Sequence, residues 1–116
     1  MKKIKTLVLI LVLPVFLIGC SHFTETDFGH YSKAETFYTK GDFRKAIAEY
    51  GEYLKLEPQG NMAIIAHYYT AKSQAALGNT GAAKTGYENV IKKYPASDWA
   101  SFSKKQIEDL ETAKKS

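Results

Sequence analysis

Sliding the chain along itself by 37 residues brings like onto like, and an internal repeat restricts a fold more than any composition does. Ala34 falls on Ala71, Gly41 on Gly78, Ala46 on Ala83, Tyr50 on Tyr87, Leu54 on Ile91 and Pro58 on Pro95. Each copy has one layout: a helical stretch, a glycine, a second helical stretch with Ala and Tyr on one face, then proline. The residue types have physical reasons. Two helices approach closely only where side chains are small, and large rings fill the gaps beside such crossings. Gly41 permits a left-handed cap that ends the first helix, and Asp42 is placed to cap the second. A hairpin of this kind cannot bury its apolar face alone, so it stacks on its neighbours.

The stretch from Ala34 to Pro58 resembles the tetratricopeptide repeat. The resemblance makes Ala34 the small residue of the first helix, Phe37 the aromatic three residues on, and Gly41-Asp42-Phe43 the turn. Ala46 is then the small contact of the second helix, Tyr50 its aromatic and Pro58 the stop. The second copy departs more: Gln74 stands where an aromatic is expected, and Thr80 where Phe43 stood. His30 and His67 replace the usual large aromatic near the start of each hairpin. A third segment follows, with Ser97 as N-cap and Trp99, Phe102, Ile107 and Leu110 at helical spacing. Asp98, Lys104, Lys105, Glu108, Asp109 and Glu111 give it the polar outer side that an end helix needs. Tyr94 to Ala100 also resembles inter-repeat junctions in two groups of envelope proteins, the repeat lipoprotein of outer-membrane β-barrel assembly and the periplasmic accessory protein of the Tol system. The implied fold is all-α: an α-α superhelix of two hairpins, about 28–60 and 61–95, with a capping helix and tail over 96–116. Helices are expected near 27–40, 43–56, 61–77, 80–94 and 98–113, with no strands.

The first twenty residues read differently. Met1 to Lys5 is basic, and Leu7 to Ile18 is almost wholly apolar with Pro14 inside it. That run is short of the roughly 20 apolar residues a permanent span needs, and it suits the core of a cleaved signal peptide. Cys20 is the one cysteine, so an internal disulfide and a two-thiolate metal site are both excluded. Leu17-Ile18-Gly19-Cys20 resembles the lipobox of bacterial lipoproteins. The resemblance implies lipidation of Cys20, cleavage that removes residues 1–19, and a tether over 20–27. Two or three acyl chains, at about 0.8 kcal/mol per buried methylene, suffice for stable anchoring. Ser21, rather than Asp, after the cysteine implies the outer membrane, facing the periplasm. In a one-membrane cell the same anchor implies the outer face of the plasma membrane.

The formal net charge is +4, but Lys2, Lys3 and Lys5 lie ahead of the expected cleavage. Without them 13 basic side chains face 12 acidic ones, which leaves no basic excess for nucleic acid. Lys92-Lys93, Lys104-Lys105 and Lys114-Lys115 each lie near an acid and read as solvated helix faces.

Catalysis requires a nucleophile, base or metal in mutual reach, and no such constellation is written here. The histidines are His22, His30 and His67; the last two share a repeat position and therefore a packing role. No H-E-x-x-H spacing occurs, and Gly78 to Gly86 lacks the lysine and hydroxyl that end a phosphate loop. No enzyme activity, metal or cofactor is expected.

Binding is the stronger expectation. In the family this chain resembles, the concave face is built from the first helix of each hairpin. Its groove positions correspond to Phe28, Tyr31, Glu35 and Tyr38 in the first copy and Ile65, Tyr68, Lys72 and Ala75 in the second. Tyr and Phe are frequent interface anchors, yet each of these rings is either groove or core depending on register. The paired Lys and Asn that clamp a peptide carboxylate in some relatives are absent. The expected function is a membrane-anchored adaptor or scaffold for an envelope or periplasmic protein. The alternative is a structural lipoprotein that self-assembles without a client groove. Two repeats are fewer than the roughly three a stable stack needs, so a partner or a second copy is expected to complete it.

Overall fold

A computed structural model describes residues 28–116, the Phe28 side chain excepted. The proposed signal segment, Cys20, the tether and His22 lie outside the described residues. Five helices follow one another: α1 (Phe28–Thr39), α2 (Phe43–Leu56), α3 (Ala63–Ala76), α4 (Thr80–Lys93) and α5 (Asp98–Lys115). Among the described residues there is no strand. Helices α1 and α2 form one hairpin, α3 and α4 a second, and α5 packs chiefly on α4. This is the all-α arrangement of two hairpins and an end helix.

The 37-residue period is reproduced atom for atom at the turns. Gly41 (φ +79°) and Gly78 (φ +81°) take the left-handed conformation that closes the first helix of each hairpin. The N–H groups of Gly41 and Gly78 donate to Tyr38 and Ala75 carbonyls at 3.0 Å. Asp42 and Asn79 donate to Phe37 and Gln74 at 2.9 Å. These paired bonds are the Schellman closure, which satisfies carbonyls the helix leaves unpaired. The caps that follow diverge. Asp42 accepts from the Lys45 N–H at 3.3 Å, whereas Asn79 turns its amide to Gln74 at 2.9 Å and caps nothing with its side chain. Ser97 caps α5 by accepting from the Ala100 N–H at 3.1 Å.

Two clusters make the core. Ala34, Ala46, Tyr31, Tyr50, Tyr53 and Ala66 form the first; Ala71, Ala83, Tyr68, Tyr87 and Val90 form the second. The small residues sit at the helix crossings, as the repeat requires. The second crossing is the closer one. A Cβ placed on Gly86 would stand 2.7 Å from the Ala71 Cβ. Tyr50 and Tyr87 fill equivalent gaps and are both fully buried.

The period extends into α5. Shifted by 37, Ala63 and Ala66 of α3 fall on Ala100 and Ser103 of α5, and all four are buried. The positions that in α1 and α3 face a following helix, Tyr31/Tyr68 and Ala34/Ala71, become Lys105 and Glu108, both exposed. One side of α5 therefore continues the stack and the other meets water. The expected boundaries hold within two residues. The one shift beyond fraying is at α3, which starts at Ala63 because Asn61 and Met62 belong to the preceding turn.

Candidate protein-binding groove

Helices α1, α3 and α5 are the first helices of successive repeat units, and their aromatic residues meet ring to ring. Tyr38 of α1 packs edge-on against Tyr69 of α3, with centroids 4.9 Å apart. Tyr69 reaches Trp99 of α5 at 6.2 Å, and Trp99 meets Phe102 edge-on at 5.6 Å. The row thus crosses all three helices. Aromatic rings prefer these offset and T-shaped contacts, each worth about 0.5–1.5 kcal/mol beyond its buried area. The row ends at Phe102, which is 49% exposed. The Lys72 ammonium stands over the Tyr69 ring, 5.8 Å from its centroid.

The residues expected in the groove divide. Tyr31 and Tyr68 are core, 7% and 5% exposed. Tyr31 lies edge-on to Tyr50 and Tyr53 of α2, and Tyr68 packs against Tyr87 of α4 at 5.7 Å. Both stand one turn before the small alanine of the crossing, so they point at the partner helix and underlie the groove. Glu35 is half-buried, and its carboxylate accepts from the Tyr50 hydroxyl at 2.5 Å; it is tied to the core, not offered to a ligand. Tyr38, Ile65 and Lys72 keep partial exposure, as does Ala75. The Phe28 side chain lies outside the described residues.

Reading the sequence missed Tyr69, Trp99 and Phe102 as members of the row. For Phe102 the signal was present: one more step of 37 carries Phe28 to Ile65 to Phe102. Tyr69 had no such signal, because its counterparts are Ser32 and Gln106.

Burial shapes the phenols. Burial, then the Glu35 carboxylate, pushes the Tyr31 phenol up to about 12. Burial first, and the hydrogen bond to Glu35 second, raises Tyr50 still further. Tyr87 is raised by burial and then by Tyr68. Its hydroxyl and the Ser103 Oγ are buried without a hydrogen-bond partner among the described residues.

The histidines do separate jobs. Glu49 Oε2 accepts from His30 Nδ1 at 2.6 Å, while the His67 ring lies 6.5 Å from that of Tyr94. No group of three His, Cys, Asp or Glu side chains comes together among the described residues. No described helix is long and apolar enough to cross a membrane.

The tetratricopeptide-repeat family matches residues 66–97, from α3 to the cap of α5. The chain carries a tetratricopeptide repeat. The match covers the second hairpin, and the first reproduces its turns and crossing at a distance of 37 residues. Such repeats are modules of protein–protein interaction, and typically not catalysts. No curated protein matches the chain.

Proposed function

We propose that this is a lipid-anchored repeat protein that holds another protein at a bacterial membrane. The row from Tyr38 through Tyr69 and Trp99 to Phe102 carries the reading. A half-exposed ring at the end of a rigid aromatic row places an anchor where a partner side chain lies against it, at little further entropic cost. Lys72, above Tyr69, adds a cation beside the row and favours an aromatic or acidic segment. The lipobox-like Leu17-Ile18-Gly19-Cys20 supports the anchor, and Ser21 supports the outer membrane with the domain on the periplasmic side.

Two measurements test it. A photo-crosslinking residue at Phe102 should give a discrete adduct in cells, and one at Glu52 on the α2 surface should not. Equal or absent adducts at both positions would remove the groove. An adduct whose only partner is a second copy of this chain would convert the reading to self-assembly. Mass spectrometry of the native protein should find residue 20 as the acylated N-terminus, and a bare thiol with the leader attached would remove the anchor.

A further inference from the structure

The two hairpins also part company in their charged side chains, away from the aromatic row. In the first hairpin His30 meets Glu49 at 2.6 Å, and Lys55 meets Glu52 at 2.8 Å. One repeat on, the equivalents of His30, Glu49, Glu52 and Lys55 are His67, Gly86, Asn89 and Lys92. Leu56 becomes Lys93. Two carboxylates have gone and a cation has been added.

The result is a cleft. His67, Asn89, Lys92 and Lys93 line a hollow of about 430 Å³ between α3 and the end of α4. The Gly86–Ala71 approach keeps it free of a restored carboxylate, since a side chain at Gly86 would drive the helices apart. No ion pair engages Lys92 or Lys93 among the described residues, Glu88 one turn away included. By contrast Lys105 of the next basic pair is held by Asp109 at 3.4 Å. The larger cleft between α4 and α5 is lined by Lys84 and Lys114, but it also holds the Glu111 carboxylate, which bridges Lys84 at 3.1 Å. Burial, and then the Lys93 charge, holds the His67 imidazole below its usual range, so near neutral pH the ring offers a single N–H. Lys92 and Lys93 are exposed, as expected of a solvated helix face, but the acid near them in sequence forms no ion pair with either.

We propose that this cleft binds a phosphate group, carried either on a soluble small molecule or on a lipid headgroup. Among the described residues its lining supplies two ammonium groups, an amide donor and an imidazole, and no carboxylate. Lysine binds phosphate as a point charge without demanding a fixed fork geometry. The volume exceeds that of a bare phosphate and falls in the range of small-ligand sites, leaving room for the group that bears it. The site is separate from the aromatic row: His67 lies two residues before Tyr69, roughly 200° around α3.

The test uses the full chain in micelles of an uncharged detergent, with the His67 ring resonances as readout. One arm adds glycerol 3-phosphate; the other dopes the micelles with phosphatidylglycerol. A saturable shift in the first arm alone identifies a soluble phosphate, and in the second alone a headgroup. Asn89→Glu, which restores the first hairpin's acid, should weaken either response at least about tenfold, or 1.4 kcal/mol. Lys93→Leu, the residue of the sister site, should weaken it about threefold, and it serves where Asn89→Glu fails to fold. Lys55→Leu should leave it unchanged. No saturable shift in either arm, or a shift that Asn89→Glu and Lys93→Leu both leave intact, overturns the proposal.

Discussion

Glu35 and Lys72 occupy the same repeat position, and the difference decides whether a buried tyrosine is satisfied. Glu35 accepts from the Tyr50 hydroxyl, whereas Tyr87, the counterpart of Tyr50, finds no partner among the described residues. Lysine is a donor only, so it cannot accept the phenolic proton. Lys72→Glu should therefore stabilise the fold by about 1 kcal/mol, less a few tenths for the lost contact with Tyr69. In a domain of this size that corresponds to a melting-temperature rise of roughly 4 °C. A fall on thermal unfolding would show that Tyr87 is satisfied some other way. The aromatic identity of both positions was legible from the repeat. Their unequal hydrogen bonding was not, because it depends on which side chain a 15-residue loop of chain brings back to the ring.

At the scale of helices, spacing between axes separates the two hairpins. Gly86 lets α4 come against Ala71 so closely that a Cβ there would meet another at 2.7 Å. Gly51, the glycine inside α2, has nothing within 4 Å of where its Cβ would stand. The same substitution should then act in opposite directions. Gly86→Ala should cost about 1–3 kcal/mol by overpacking. Gly51→Ala should gain about 0.5–1 kcal/mol from helix propensity alone. Urea titrations of the two variants check the pair, and a gain at both sites would mean the hairpin opens without penalty. Both glycines look alike in the sequence, as breaks in a helical pattern. Only the partner helix distinguishes them.

Across the whole molecule, the buried phenols link stability to alkaline pH. Tyr31, Tyr50 and Tyr87 are all raised above their ordinary value of 10.0. Above that pH the unfolded chain releases protons that the native state retains. Stability is thus fully present below about pH 10 and falls as pH rises toward and beyond 12, the value for Tyr31. Each such phenol contributes about 1.4 kcal/mol per pH unit in that window. The urea midpoint should be flat from about pH 8 to 9.5 and drop steeply above about pH 10.5. Tyr87→Phe should be nearly neutral at pH 7, since its hydroxyl has no partner to lose, and should shallow the alkaline slope by about one proton. An unchanged slope would exclude Tyr87 from the linkage.

The order of helices, the turn glycines, the small residues at the crossings and the polar outer side of α5 were set by the sequence itself. Each is local: a residue type at a fixed offset, repeated after 37 positions. The tertiary structure alone decided which rings serve the core and which form the row. Tyr31 and Tyr68 went inward because their helices turn that face to α2 and α4, while Phe102 stayed half in water at the end of the stack. It also decided which lysines are neutralised. Lys105 finds Asp109 one turn along its own helix, but the partners that would quiet Lys92 and Lys93 are missing across the hairpin. A sequence specifies neighbours along a helix directly; neighbours between helices exist only once the axes have packed.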